Sequence, residues 1–137
     1  MTTNPNNFVT AQKINTGTCV CTAAKTTYND TTNAVLLLTA GADGSFVYDI
    51  SAIARATYTD TQLQLYTSPD GGVTLYLLRT KKAAADTMAA TAEQEEIVFD
   101  EWSEAAPLRL KGSERLYAAA GVALAGGWIF HARGDDL

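Results

Sequence analysis

Thr61-Gln-Leu-Gln-Leu-Tyr-Thr67, Ser68-Pro-Asp-Gly-Gly72 and Val73-Thr-Leu-Tyr-Leu-Leu-Arg79 read as two β-strands joined by a tight loop. Leu63 and Leu65 alternate with Gln62, Gln64 and Tyr66, the period of two that a half-buried strand requires. Pro69 presets φ for a turn, Asp70 can bond its own backbone, and Gly71 and Gly72 accept the positive φ that closes a hairpin. The rest of the chain repeats this theme, and no catalytic constellation competes with it.

Outward from the hairpin, short apolar runs alternate with turn chemistry. Phe8 to Ile14 and Thr18 to Ala24 read as strands separated by a turn at Asn15-Thr16-Gly17, and Thr26 to Asn33 as a polar loop. Val35 to Leu38 is a continuous apolar run before the turn Ala40 to Gly44. Phe46 to Ala56 places Phe46, Tyr48 and Ile50 on one face, and Ile53 breaks the register, which predicts a bulge or bend near Ala52. Lys81 to Ala92 lacks clean alternation and reads as a connection with one helical turn at most. Glu95 to Trp102, Leu108 to Leu110, Arg115 to Leu124 and Trp128 to Ala132 complete about nine strands. The 19 threonines suit that count, because β-branched side chains fit a pleated surface. Regularly spaced antiparallel strands with one long crossover predict an all-β, two-sheet β-sandwich of jelly-roll type, with an up-and-down barrel as the alternative. Residues 1–7, polar and carrying Pro5, read as an extended N-terminal arm, and 8–137 as one sandwich domain.

Composition bounds the function. A net charge of −5, with Lys81-Lys82 the only adjacent basic pair, argues against tracking a nucleic-acid backbone or binding an anionic membrane. The first residues have no basic and apolar leader pattern, and Ala118 to Ala125 is too short to span a bilayer, so a soluble protein made in the cytoplasm is expected. Cys19 and Cys21 would share one strand face and read as reduced, buried small residues. Neither that pair nor the single His131 supplies enough ligands for a metal, and no cofactor is expected.

Glu93, Glu95, Glu96, Asp100, Glu101 and Glu104 could hide a glycosidase carboxylate pair but read as a solvated loop and strand edge. Arg133-Gly134-Asp135 spells the integrin-binding tripeptide in what reads as a polar tail, and Asn29-Asp30-Thr31 is a formal sequon. Sugar binding would need exposed aromatics lining a groove; Tyr58, Tyr66, Tyr76, Trp102 and Trp128 are available but form no cluster in the sequence. No enzyme is indicated. Several strands are apolar on both faces, which predicts an interface built from Val35, Leu36, Leu37, Leu38, Trp128, Ile129 and His131, with Ser68, Pro69, Asp70, Gly71 and Gly72 as an exposed loop.

Leu37 to Gly44, the strand ending Ile53 to Thr57, Thr61 to Tyr66 with Ser68 to Gly72, and Arg115 to Ala123 together resemble small proteins encoded with the structural genes of tailed bacteriophages. The group resembles β-sandwich head-decoration, or cement, proteins, and the likeness spans residues 34 to 132 in turn-and-strand signatures. It implies a non-enzymatic virion protein on the capsid exterior, a homotrimer bound to the major capsid protein and assembled in the bacterial cytoplasm. Another tail, neck or baseplate role, or a carbohydrate-binding jelly roll, is the alternative.

Overall fold

The computed structural model describes residues 13–137, so the arm expected over residues 1–7 and the strand start expected at Phe8 lie outside the described residues. Nine strands follow: β1 (Lys13–Cys21), β2 (Val35–Thr39), β3 (Ser45–Ala54), β4 (Thr61–Ser68), β5 (Tyr76–Ala83), β6 (Glu96–Val98), β7 (Leu108–Leu110), β8 (Arg115–Ala120) and β9 (Trp128–Asp136). They form two antiparallel sheets, β1-β9-β3-β6 with β7 also on β3, and β2-β8-β4-β5. We call these sheets A and B. Among the described residues there is no helix, and 84–95 is an irregular crossover from sheet B to sheet A.

The pairing is nested. β4 and β5 form the innermost hairpin, β3 takes β6 and β7, β2 takes β8, and β1 takes β9. The fold is therefore one long antiparallel hairpin rolled up so that β9 also meets β3 and β8 also meets β4, which is the jelly-roll sandwich. The tip of that rolled hairpin is the 61–79 stretch. Gly71 and Gly72 adopt φ of 75° and 95°, as the turn reading requires, but the loop is longer than expected: β5 begins at Tyr76, not Val73.

Between the sheets, Val47, Ile50, Leu63, Leu65, Phe99, Leu116, Trp128 and Phe130 are buried side by side. Each such side chain removed from water contributes about 2 kcal/mol. The open edge between the sheets is closed by the segment after β6. Arg79 lies 5.7 Å from the centre of the Trp102 ring, and Lys81 pairs with Asp100 at 3.0 Å.

Three local expectations are corrected. Asn15-Thr16-Gly17 is no turn but runs straight through β1. Gly17 is there for close approach: a Cβ would lie 1.8 Å from the Leu37 carbonyl oxygen, so only glycine lets β1 cross so near β2. The register break in β3 falls between Val47 and Asp49, not near Ala52. That bulge leaves Phe46 and Tyr48 half-buried and outward while Ile50 points into the core. Finally, Arg133-Gly134-Asp135 is not a tail. It lies inside β9, paired with β1 and β3, with Gly134 packed against the Phe46 backbone.

Candidate interaction surface

The two outer faces of the sandwich differ in how they are covered. On sheet B, Gln64, Tyr66, Ser68 and Ala119 point away from the main core yet are fully buried. Two segments cover them. The hairpin loop 69–75 folds back so that Leu75 packs on Tyr66 and Ala119 in a second small core. Its shape is fixed by Asp70, whose Oδ1 accepts the Ser68 hydroxyl at 2.9 Å and the Thr74 N–H at 2.8 Å. These bonds hold the Asp70 carboxyl below the ordinary carboxylate range, the Thr74 N–H being the larger cause.

The second cover is the β1–β2 connection, residues 22–34. Ala24 bridges Ala120, and the Lys25 N–H donates to the Ala120 carbonyl at 2.8 Å, so the small side chains of β8 let this strap lie directly on the strand. Lys25 is only 1% exposed. Its Nζ donates to the Asp30 carboxylate at 2.8 Å and to the Asp30 and Thr32 carbonyls at 2.9 Å, and it lies 5.3 Å from the centre of the Tyr66 ring. All three ammonium protons are thus used, which is what makes a buried lysine tolerable. The Tyr66 hydroxyl donates to Gln64 Oε1, Gln64 Nε2 donates to the Lys25 carbonyl at 3.1 Å, and burial pushes the Tyr66 pKa up to about 12. The polar loop read from the sequence is therefore a latch, and Lys25 is its pin.

Sheet A has no such cover among the described residues. Strand register aligns Val20, Ile129 and Ile53 in one row across β1, β9 and β3, all outward and half-buried. The neighbouring row is Thr18, His131, Ser51 and Val98, with Val98 41% exposed. Thr18 Oγ1 and His131 Nδ1 share a hydrogen bond of 3.2 Å. Arg133 faces Asp49 at 3.6 Å, and Arg109 lies 5.4 Å from the centre of the Phe46 ring. The face is a central apolar strip with polar and charged neighbours, the pattern of a protein contact surface.

The interface residues expected from sequence divide accordingly. Ile129 and His131 lie on this open face. Trp128 is a correction: it is wholly buried in the core against Tyr58, ring centres 4.5 Å apart, and has no surface to offer. Leu37 and Leu38 are likewise interior, because a bulge after Leu36 turns both inward, leaving Leu36 exposed and Val35 half-buried on sheet B. In the expected exposed loop, Pro69, Asp70 and Gly71 are exposed and Gly72 is half-buried, whereas Ser68 is buried, with its hydroxyl accepting the Gly72 N–H at 2.8 Å.

Other candidates are dispersed. Cys19 and Cys21 are free, buried and side by side on the inward face of β1; the neighbouring Cys19 and burial push the Cys21 thiol far up. Among the described residues no three His, Cys, Asp or Glu side chains converge as metal ligands. Of the acidic run, Asp100 and Glu101 reach Lys81, at 3.0 and 4.0 Å. The aromatics named for sugar binding do not cluster at the surface: Tyr58, Tyr66 and Trp128 are buried, Trp102 lies under Arg79, and Tyr76 stands on the edge strand. No protein-family model matches the chain, and no curated protein or solved structure matches it either.

Proposed function

We propose that this protein is a structural, non-enzymatic component of a bacteriophage virion that binds the outer capsid surface as a homotrimer and stabilises it against the pressure of packaged DNA. The observation that carries the reading is the outer face of sheet A, which no segment of the described residues covers, with Val20, Ile53, Ile129 and Val98 among hydrogen-bonding neighbours. A sandwich whose described residues seal one sheet face with two loops and leave an apolar strip on the other has a surface suited to a protein partner. The resemblance of residues 34 to 132 to head-decoration proteins supplies the kind of partner, a second and third copy of the chain and the major capsid protein. A small jelly roll suits the role, since its rigid sheets present a flat face and its many copies add weak contacts into a strong collective one.

The test is removal. Particles lacking the protein should release DNA at a lower temperature than decorated ones, most clearly at low magnesium, where DNA self-repulsion is least screened. Equal release temperatures at low and high magnesium would overturn the stabilising role. Stoichiometry in purified particles separates the readings within the virion: many copies for a capsid protein, few for a neck or tail-tip component.

A further inference from the structure

Two depressions of about 340 and 360 Å³ open on the outer side of sheet B, and both are lined by Gln62. Asp60, Thr80 and Lys82 also line the first, and Tyr28, Gly121, Val122 and the buried Lys25 are among those that line the second. They lie at the end of the sheet away from the hairpin loop, between the strap, the start of β4 and the end of β5. We propose that this groove is a binding site for a neutral oligosaccharide.

Gln62 is held in place by what lies beneath it. Its Oε1 accepts the Tyr28 hydroxyl at 2.7 Å and Gln64 Nε2 at 3.1 Å. That fixes the amide with its NH2 group, which has no partner among the described residues, free to donate into the groove. Gln64 is itself fully buried and tied to the Lys25 carbonyl, so the latch that seals the sheet also sets the geometry of the groove. Tyr28 is 46% exposed, with its hydroxyl anchored and its ring offered to the surface.

Across β4 and β5, Lys82 pairs in register with Gln62, and Lys82 Nζ lies 3.4 Å from Asp60 Oδ2. The Ala85 N–H and then Lys82 hold the Asp60 carboxyl below its usual range, so it stays an acceptor at neutral pH. The lining is therefore an amide donor, a carboxylate acceptor balanced by an ammonium, a threonine hydroxyl and an aromatic ring.

That chemistry discriminates between ligands. An apolar molecule finds only open depressions here, and a polyanion finds Lys82 neutralised by Asp60 and Lys25 buried with its ammonium already paired. Sugar hydroxyls donate and accept at once, so they can use an array of mixed donors and acceptors. A flat aromatic ring accepts the C–H face of a pyranose, and a few fixed polar groups orient it. The site stands apart from the capsid reading, since it lies on the opposite sheet from Ile129.

Saturation-transfer NMR on the full chain, with linear hexasaccharides of glucose, mannose, galactose and N-acetylglucosamine, tests it. At least one should bind, with signal on its ring protons. Gln62→Ala should weaken binding about fivefold to tenfold, as for loss of one well-placed hydrogen bond. Because Gln62 also steadies Tyr28, Thr80→Val and Lys82→Ala serve as second variants on exposed edge positions. They should weaken binding about threefold or more at unchanged melting temperature. Ile129→Asp should leave it unchanged. Silence across the panel, binding indifferent to all three groove variants, or binding of a polyanion such as heparin alone would each overturn the proposal.

Discussion

Both sheets are antiparallel and four or five strands wide, yet among the described residues only one is covered on its outer side. Sheet B carries Tyr66, Gln64 and Ala119 outward and seals them under the strap and the hairpin loop. Sheet A carries Val20, Ile53 and Ile129 outward with no segment of the described chain across them. The cover on sheet B spends about twenty residues on irregular backbone and a buried lysine, a costly arrangement unless it hides what would otherwise be a second exposed apolar face. The difference teaches that outward apolar residues alone do not mark an interface. Those left uncovered are the candidates.

The comparison can be broken most forcefully at the latch pin. Lys25→Ala removes a fully buried side chain and strands the Thr32 carbonyl, and should destabilise the fold by about 3 kcal/mol in urea melts. It should also expose Tyr66, visible as increased binding of a hydrophobic dye. Were sheet B sealed by the loop alone, neither change would appear. The second cover is tested by Leu75→Ala, expected to cost about 2 kcal/mol and to leave the strap in place. A cost as large as that of Lys25→Ala would mean the two covers act as one unit.

A smaller effect concerns the corner where β1, β3 and β9 are pinned together. Asp136 Oδ1 accepts from the Ser45 hydroxyl, from Asn15 Nδ2 at 2.8 Å and from the Gly41 N–H at 3.2 Å. Ser45 foremost, with Asn15 and Gly41, holds its carboxyl below the ordinary range. A group with a lowered folded pKa contributes stability above its unfolded value of about 4, and that contribution is lost as pH falls through the folded value. Asp136→Asn keeps an acceptor but cannot titrate, so its melting temperature should fall less steeply below about pH 4 than that of the natural protein. Parallel acid curves for the two would show that this corner contributes nothing to acid sensitivity.

The hairpin at 61–79 and the two-sheet all-β architecture could be read from alternation and turn chemistry, because period-two patterning and residues such as Pro69 and Gly71 act locally. The strap could not. Lys25 and Asp30 look solvated in any linear reading, and only the tertiary fold brings Ala120 and Tyr66 beneath them. Gly17 shows the same ambiguity, since a glycine that permits a turn and one that permits close approach look alike in sequence. At the candidate face, Ile129 and His131 were legible because the start of β9, Trp128 to His131, is non-polar or aromatic on both faces. Leu37 and Leu38 were misplaced because a bulge in β2 breaks the alternation and has no sequence mark of its own. Trp128 was misplaced because alternation sets it opposite Ile129 without saying which of the two apolar faces turns inward. Tyr28 and Gln62 carried no signal at all: a tyrosine in a polar loop and a glutamine in a strand meet only because the strap folds over the sheet.

The most direct test of the open face is Ile129→Asp, followed by native mass spectrometry and by sedimentation with purified particles. Ile129 is half-buried and outward, so the variant should unfold within about 1 kcal/mol of the natural protein. The natural protein should form trimers and sediment with particles, while the variant stays monomeric and remains in the supernatant. A natural protein that is monomeric at micromolar concentration and binds no particle, or a variant that assembles and binds like it, would contradict the account.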